Sequence, residues 1–209
     1  MKFTSLFGAA ALFAMGSTAS AATLTVDSYD TPGGNQGSFT YFDDGYGQTS
    51  SGGTLTGGTG DLTDGVIATD NWGNTPGPYV GWLNIDPVLT FHFDDPVEVF
   101  EATVYYDDSN GWGGVYPLNY ITATTAAESF GTALSDPSGG GPLSHTISFS
   151  GGLTDFVTLT LSGFGPWIMV SEVTFDGAAP AVPVPASLPL LLGAFGGFAA
   201  LRRRKANRA

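Results

Sequence analysis

A chain of 209 residues with 31 glycines, 13 prolines, no cysteine and only 12% charged residues has the length of one domain and the composition of a loop-rich β protein rather than a helical bundle. Its basic residues are Lys2, Arg202, Arg203, Arg204, Lys205 and Arg208, so residues 23–201 carry all 19 Asp and Glu and no Lys or Arg. A body without cations cannot neutralise nucleic-acid phosphates or anionic lipid head groups, and it lacks the clamp on which phosphoryl transfer leans; what it attracts is hard cations, Ca²⁺ first.

At the N-terminus, Lys2 is followed by an apolar run over 3–15 and a small-residue stretch over 16–22. A charged start, a short apolar centre and small residues at the cut make 1–21 a secretory signal peptide, cleaved after Ala21 or, nearly as well, after Ala22. An exported chain without cysteine folds without disulfides, and about 150 residues bury a sufficient core unaided.

The body, 22–177, alternates short β-branched and aromatic runs with Gly, Pro, Asn and Asp clusters. Strands are expected over 23–29, 38–42, 79–85, 88–93, 97–106, 116–125, 145–149, 156–161 and 168–175. Leu89, Phe91 and Phe93, and likewise Val157, Leu159 and Leu161, recur every second residue, so each strand buries one face. No helical repeat of comparable length competes, and the fold class is all-β: a sandwich of the jelly-roll or immunoglobulin-like kind. The Gly, Ser and Thr tract 48–60 reads as a flexible loop. Its end, 57–61, has the look of a calcium-binding nonapeptide repeat but occurs once, and such solenoids need several copies.

From residue 61 onward the order of segments is more specific. Leu62-Thr63-Asp64-Gly65 is followed by Trp72 and Trp82, by Ile85-Asp86-Pro87 leading into a strand, and by the closing run 167–175 with Ser171-Glu172-Val173. Over 61–176 this succession resembles the discoidin or coagulation-factor type C family of galactose-binding-like domains. The resemblance implies a jelly roll and a structural Ca²⁺ at the Asp-Gly turn, closed by an acidic residue of the last strand, which maps onto Asp64 and Glu172. Read from the residues alone, Asp64 serves equally as a turn cap and Glu172 as a solvated side chain. The basic residues that members carry in their later strands are absent here, which again opposes binding to anionic lipid.

A second constellation lies between two long strands, at 107–116. Asp107, Asp108 and Asn110 offer polar atoms to sugar hydroxyls, and Trp112 or Tyr116 offers a ring face to sugar C–H groups, the mix expected where carbohydrate binds. The same composition also suits a plain Asp, Asn and Gly turn. Trp72, Trp82 and Trp167 are expected to pack in the core or at its rim. Catalysis finds little support: the doublets at 43–44, 94–95 and 107–108 do not set two carboxylates across a cleft, and His92 and His145 accompany no nucleophile motif and lack zinc-ligand spacing.

The C-terminus reads Val182, Pro183, Val184, Pro185, Ala186, then an apolar stretch over 188–201 and the arginine cluster. The apolar stretch is shorter than the roughly 20 residues of a comfortable span, and basic residues at its far end place it as a marginal membrane helix with the body outside. A proline motif, an apolar helix and terminal arginines resemble the PEP-CTERM sorting signal in its Val-Pro-Leu-Pro-Ala variant, with one departure at Val184. The resemblance implies a Gram-negative exporter, recognition by an exosortase-type membrane protease, transient anchoring in the inner membrane and delivery to the envelope or extracellular matrix. The linker and motif occupy 178–187, and the helix and basic tail 188–209. The expectation is therefore an exported, non-catalytic module that binds extracellular polysaccharide, with Ca²⁺ held at Asp64 and Glu172. The alternative is a structural acidic matrix protein without a specific ligand.

Overall fold

The computed structural model describes residues 21–33, 35–36, 39–41, 43 and 54–178. The expected sorting motif and C-terminal helix, and all but the last residue of the expected signal peptide, lie outside the described residues. So do residues 48–53 of the expected loop 48–60. Among the described residues, no helix is long and apolar enough to cross a membrane.

The described chain is all-β: β1 (Ala22–Leu24), β2 (Ser28–Pro32), β3 (Asn35–Gln36), β4 (Phe39–Thr40), β5 (Thr54–Gly58), β6 (Val80–Leu83), β7 (Val88–Asp108), β8 (Leu118–Thr124), β9 (Ser129–Ala133), β10 (Gly141–Ser148), β11 (Leu153–Gly163) and β12 (Trp167–Ala178). All named pairings are antiparallel. The 21-residue strand β7 belongs to two layers. Its first half lies between β2 and β11, and this layer continues to β5 on one side and through β8 to β9 on the other. Its second half lies between β10 and β12, whose far edge pairs with β6 near Trp167 and with β1 near Phe175.

The expected alternation fills the space between the layers. Leu89, Phe91 and Phe93 meet Val157, Leu159 and Leu161 from the register Phe91↔Val157 and Leu89↔Leu159, and they share one core with Val104, Tyr106, Val170, Val173 and Phe175. Each such side chain contributes about 1.5–3 kcal/mol by leaving water. Phe91 and Phe175 close the middle of the core with ring centroids 5.0 Å apart.

Two bulges set which side chains face inward. On β7 the pairs Asp176↔Glu101 and Gly177↔Val99 skip Phe100, so the buried positions change from the odd residues Val97 and Val99 to the even residues Ala102, Val104 and Tyr106. On β12 the pairs Val170↔Tyr106 and Glu172↔Tyr105 skip Ser171, and the core positions change from Ile168 and Val170 to Val173 and Phe175. An extra residue reverses the side-chain phase because the strand period is two.

Several expectations need correction. Residues 54–58, expected in a flexible loop, form β5: Leu55, the tract's only apolar residue, pairs with Thr31 and is buried. The separate strands 88–93 and 97–106 are one strand. Pro96 does not break it, because between His92 and Val97 neither β2 nor β11 demands a hydrogen bond from β7. Strand β9 was not expected at all, since its residues are exposed or half-buried and Gly131 interrupts the pattern.

Candidate functional site

One end of the sandwich is built around the loop after β7. There Asn110 and Gly111 take left-handed conformations (φ 50° and 84°), and Trp112–Gly114 forms a single 3-10 turn. The turn is capped from within: the Asn110 N–H donates to Asp108 Oδ1 (2.7 Å), and the Ser109 hydroxyl donates to Asp107 Oδ2 (2.7 Å). Asp107 also accepts from the backbone N–H of Trp72 (3.2 Å), which ties this loop to the one before β6. That earlier loop is itself fixed by Asn74 Nδ2 donating to Asp70 Oδ2 (3.0 Å) and by the Tyr79 hydroxyl donating to the Asp70 carbonyl (2.9 Å).

These bonds correct the reading of Asp107 and Asp108 as direct ligand contacts. They are 1% and 0% exposed and act beneath the loop, not on its surface. Burial pushes both carboxyls above the ordinary carboxylate range. Asp108 and Asp70 add to the effect on Asp107, Asp136 adds to that on Asp108, and the N–H and O–H donors partly oppose it.

The exposed groups are the rings. Trp112 is 55% exposed and lies against Trp72, with centroids 5.5 Å apart and planes inclined by 32°. The two tryptophans hold each other through the glycines that follow them. A Cβ on Gly73 would stand 2.1 Å from Trp112 Cζ3, and one on Gly113 would stand 2.4 Å from Trp72 Cζ2. Tyr116, also exposed, lies over Gly111 and Gly165 in the same way. Tyr41 stands edge-on to Trp72 and to Trp167, with centroids 5.4 and 5.6 Å away. Beside this platform is a cavity of about 150 Å³ lined by Tyr41, Trp72, Gly113, Val115, Trp167 and Met169. The Trp72 indole nitrogen is buried without a hydrogen-bond acceptor. Trp82 is core instead, its indole N–H donating to the Pro32 carbonyl (2.8 Å).

The second expected site, Asp64 and Glu172, is brought together by the β12 bulge. The Val66 N–H donates to Asp64 Oδ1 (2.8 Å), Gly65 takes φ 83°, and the Gly65 N–H donates to Glu172 Oε2 (3.0 Å). The turn is held in place from below. The Tyr29 hydroxyl donates to the buried Asp43, whose other oxygen accepts from the Asp61 N–H (2.9 Å), and the Val173 N–H donates to the Leu62 carbonyl (2.8 Å). Glu172 is buried, not solvated. Burial, then the charge and hydrogen bond of Asp64, push its carboxyl up to about 7 against the opposing Gly65 and Val66 N–H groups. A pocket of about 290 Å³ opens here, with Thr23, Thr25, Thr63, Asp64 and Glu172 among its walls. Among the described residues, no group of three or more His, Asp or Glu is placed to hold a metal.

Of the sequence-expected residues, then, Asp64 and Glu172 meet at one turn. Trp112 and Tyr116 share the rim of the other site, Asn110 shapes its turn, and Asp107 and Asp108 support it from inside. Trp72, Gly73 and Tyr41 were not singled out as parts of a platform. The signal for the first two was available: the dipeptide Trp-Gly occurs at 72–73 and again at 112–113.

The class defined by these observations is an all-β, two-layered sandwich with an aromatic platform at one end. No protein-family model matches the sequence, and no curated protein matches it. Among solved structures, it is similar to the lectin domain of lectinolysin in complex with Lewis B antigen, at 11% identity and a TM-score of 0.43, over 57% of this chain and 83% of that one. It is similar also to the family 32 carbohydrate-binding module of C. perfringens NanJ in complex with galactose, at 14% identity and a TM-score of 0.37, over 56% of this chain and 82% of that one. A third is the fucolectin of striped bass (Morone saxatilis) serum, at 20% identity and a TM-score of 0.41, over 58% of this chain and 42% of that one.

Proposed function

We propose that the protein is an exported, non-catalytic module that binds neutral extracellular glycan on the Trp112 platform. The observation that carries this reading is an indole more than half exposed yet held in a fixed orientation by Trp72 and Gly73, beside an apolar cavity. A rigid, solvated ring face stacks on sugar C–H groups at little entropic cost, and the cation-free body favours neutral sugars over acidic ones. Export and sorting rest on the signal-peptide pattern and on the PEP-CTERM-like tail, Val182 to Ala186 with its apolar stretch and arginines, read by an exosortase-type protease after transient anchoring in the inner membrane of a Gram-negative cell.

Calcium belongs to the same reading as a structural ion. Two carboxylates without a neighbouring cation, one of them raised by burial and by the other's charge, suit a hard divalent ion that draws its remaining oxygens from carbonyls, hydroxyls and water. Asp64 and Glu172 would hold it, tying the 61–66 turn to β12.

The test is glycan-array binding and pull-down with polysaccharide from the producing cells. Binding that is lost in Trp112→Ala, with the melting temperature unchanged within about 2 °C, is the expected result. A second reading, an acidic matrix protein without a specific ligand, is favoured by the 19 carboxylates unbalanced by any cation within 23–201. It predicts association that follows ionic strength and ignores Trp112.

A further inference from the structure

The cavity beside the Trp112 platform is walled mainly by aromatic rings. Tyr41, Trp72 and Trp167 contribute three of them, and Met169, Val115 and Gly113 complete the lining. Tyr41 stands at 85° to Trp72 and 86° to Trp167, so the rings wall the space in crossed planes. A compact group lying in the corner between two perpendicular rings meets a face of each. The walls are set before any ligand arrives: a Cβ on Gly81 would stand 2.5 Å from Met169 Sδ and 3.0 Å from Tyr41 Cβ, the Gly81 N–H donates to the Tyr41 carbonyl (3.0 Å), and Val115 bridges to Trp167. The cavity is partly open to solvent and measures about 150 Å³. An apolar cavity of that volume takes a group of about six heavy atoms.

We propose that this cavity binds a quaternary ammonium group, a trimethylammonium head on a two-carbon arm of the choline kind, between Tyr41, Trp72 and Trp167. Ring faces attract a cation through their quadrupole, most strongly where water is excluded. A quaternary nitrogen carries four carbons and no N–H, so it enters an apolar space without leaving donors unpaired. A primary ammonium or a guanidinium would bring three or five donors into a lining poor in acceptors. The charge of the surroundings points the same way. Residues 23–201 hold no Lys or Arg, and beside the Trp72 wall Asp107 accepts from the Trp72 backbone N–H (3.2 Å). Asp107 and its neighbour Asp108 are buried, and each keeps one carboxylate oxygen without a hydrogen-bond partner. A ligand cation offsets charge that the chain itself leaves uncompensated, whereas an anionic group would be repelled by it. The proposal goes beyond the glycan reading and needs no sugar on Trp112.

The experiment titrates the full chain with choline and with 3,3-dimethylbutan-1-ol, its neutral isostere with carbon in place of nitrogen. Calorimetry and tryptophan fluorescence read the binding, since two of the walls are indoles. Choline should bind about tenfold more tightly than the isostere, the factor that a desolvated cation–π contact contributes. Tyr41→Leu removes one wall and should weaken choline at least fivefold. The choline-to-isostere ratio is measured on the native chain, so it stands even if Tyr41→Leu is destabilised. Choline and phosphocholine titrated side by side separate a free cation from a phosphate-bearing head group: tighter choline assigns the first, equal or tighter phosphocholine the second. Equal binding of choline and its isostere makes the cavity merely apolar and overturns the proposal. So does the absence of choline binding at millimolar concentration, and so does choline affinity that a folded Tyr41→Leu leaves unchanged, which would place the cation on the acidic surface instead. None of these outcomes bears on glycan binding, which Trp112→Ala tests separately.

Discussion

Gly73 and Gly113 are the smallest parts of the platform and the easiest to test. Because a Cβ at Gly73 would displace the Trp112 ring from its fixed orientation, and the displaced ring would move into solvent rather than into the core, Gly73→Ala should cost less than about 1 kcal/mol of stability yet weaken glycan binding at least tenfold. Gly113→Ala meets the half-buried Trp72 and also sits at φ 65°, so it should cost about 1–3 kcal/mol as well as binding. Urea unfolding read beside glycan titration separates the two; equal losses of stability would count against the seating of Trp112 over Gly73 and of Trp72 over Gly113. Glu172 supports a prediction of a different kind. Its folded value of about 7 lies above the ordinary 4.5, so the folded state holds the proton more tightly, and the stability from this group is full below about 4.5 and lost as pH rises toward 7. The melting temperature should therefore fall across that window, Glu172→Gln should flatten the fall, and Ca²⁺ should raise the melting point above pH 7 in the native chain but not in Glu172→Gln. A Glu172→Gln profile that still falls as steeply would dismiss the assignment. These residues also show what was readable in advance. The pairing of Asp64 with Glu172 came from resemblance and segment order; the burial of Asp107 did not, because its partner, the Trp72 N–H, comes from a loop 35 residues away in sequence.

Strands were legible where one face is apolar and illegible where neither is. The alternating runs at 89–93 and 157–161 were readable because they lie between neighbours on both sides and bury every second residue. Strand β9 was missed because, among the described residues, it pairs only with β8 and buries nothing fully. The bulges at Phe100 and Ser171 were missed because a two-residue period has no local marker for the point at which its phase reverses; the marker is the partner strand. Strand β11 offers a contrast within one element. Leu159, fully buried opposite Leu89, should cost about 2–5 kcal/mol when changed to Ala, whereas Leu153, 63% exposed at the strand's start, should cost no more than about 0.5 kcal/mol. Denaturant midpoints of the two variants would decide it, and similar losses would mean that the register of β11 on β7 differs from Leu159↔Leu89.

At the scale of the molecule, the distribution of charge governs how stability and binding answer to salt. The sandwich carries its carboxylates without a single Lys or Arg, so its only described charge pairing of opposite sign is His92 with Asp30 at 3.0 Å, and that pair depends on a protonated imidazole. Among the described residues the remaining carboxylates repel one another, a repulsion that folding compresses and salt screens over about 10 Å at 0.1 M. Raising NaCl from 10 mM to 0.3 M should therefore raise the melting temperature by several degrees, the opposite of what a fold held by surface ion pairs would show. Binding to the Trp112 platform should not follow the same curve, because stacking of a ring on a neutral sugar involves no counterions. The two salt profiles, one for melting and one for glycan affinity, should diverge. If they move together, the association belongs to the acidic surface, and the aromatic platform is packing instead of a binding site.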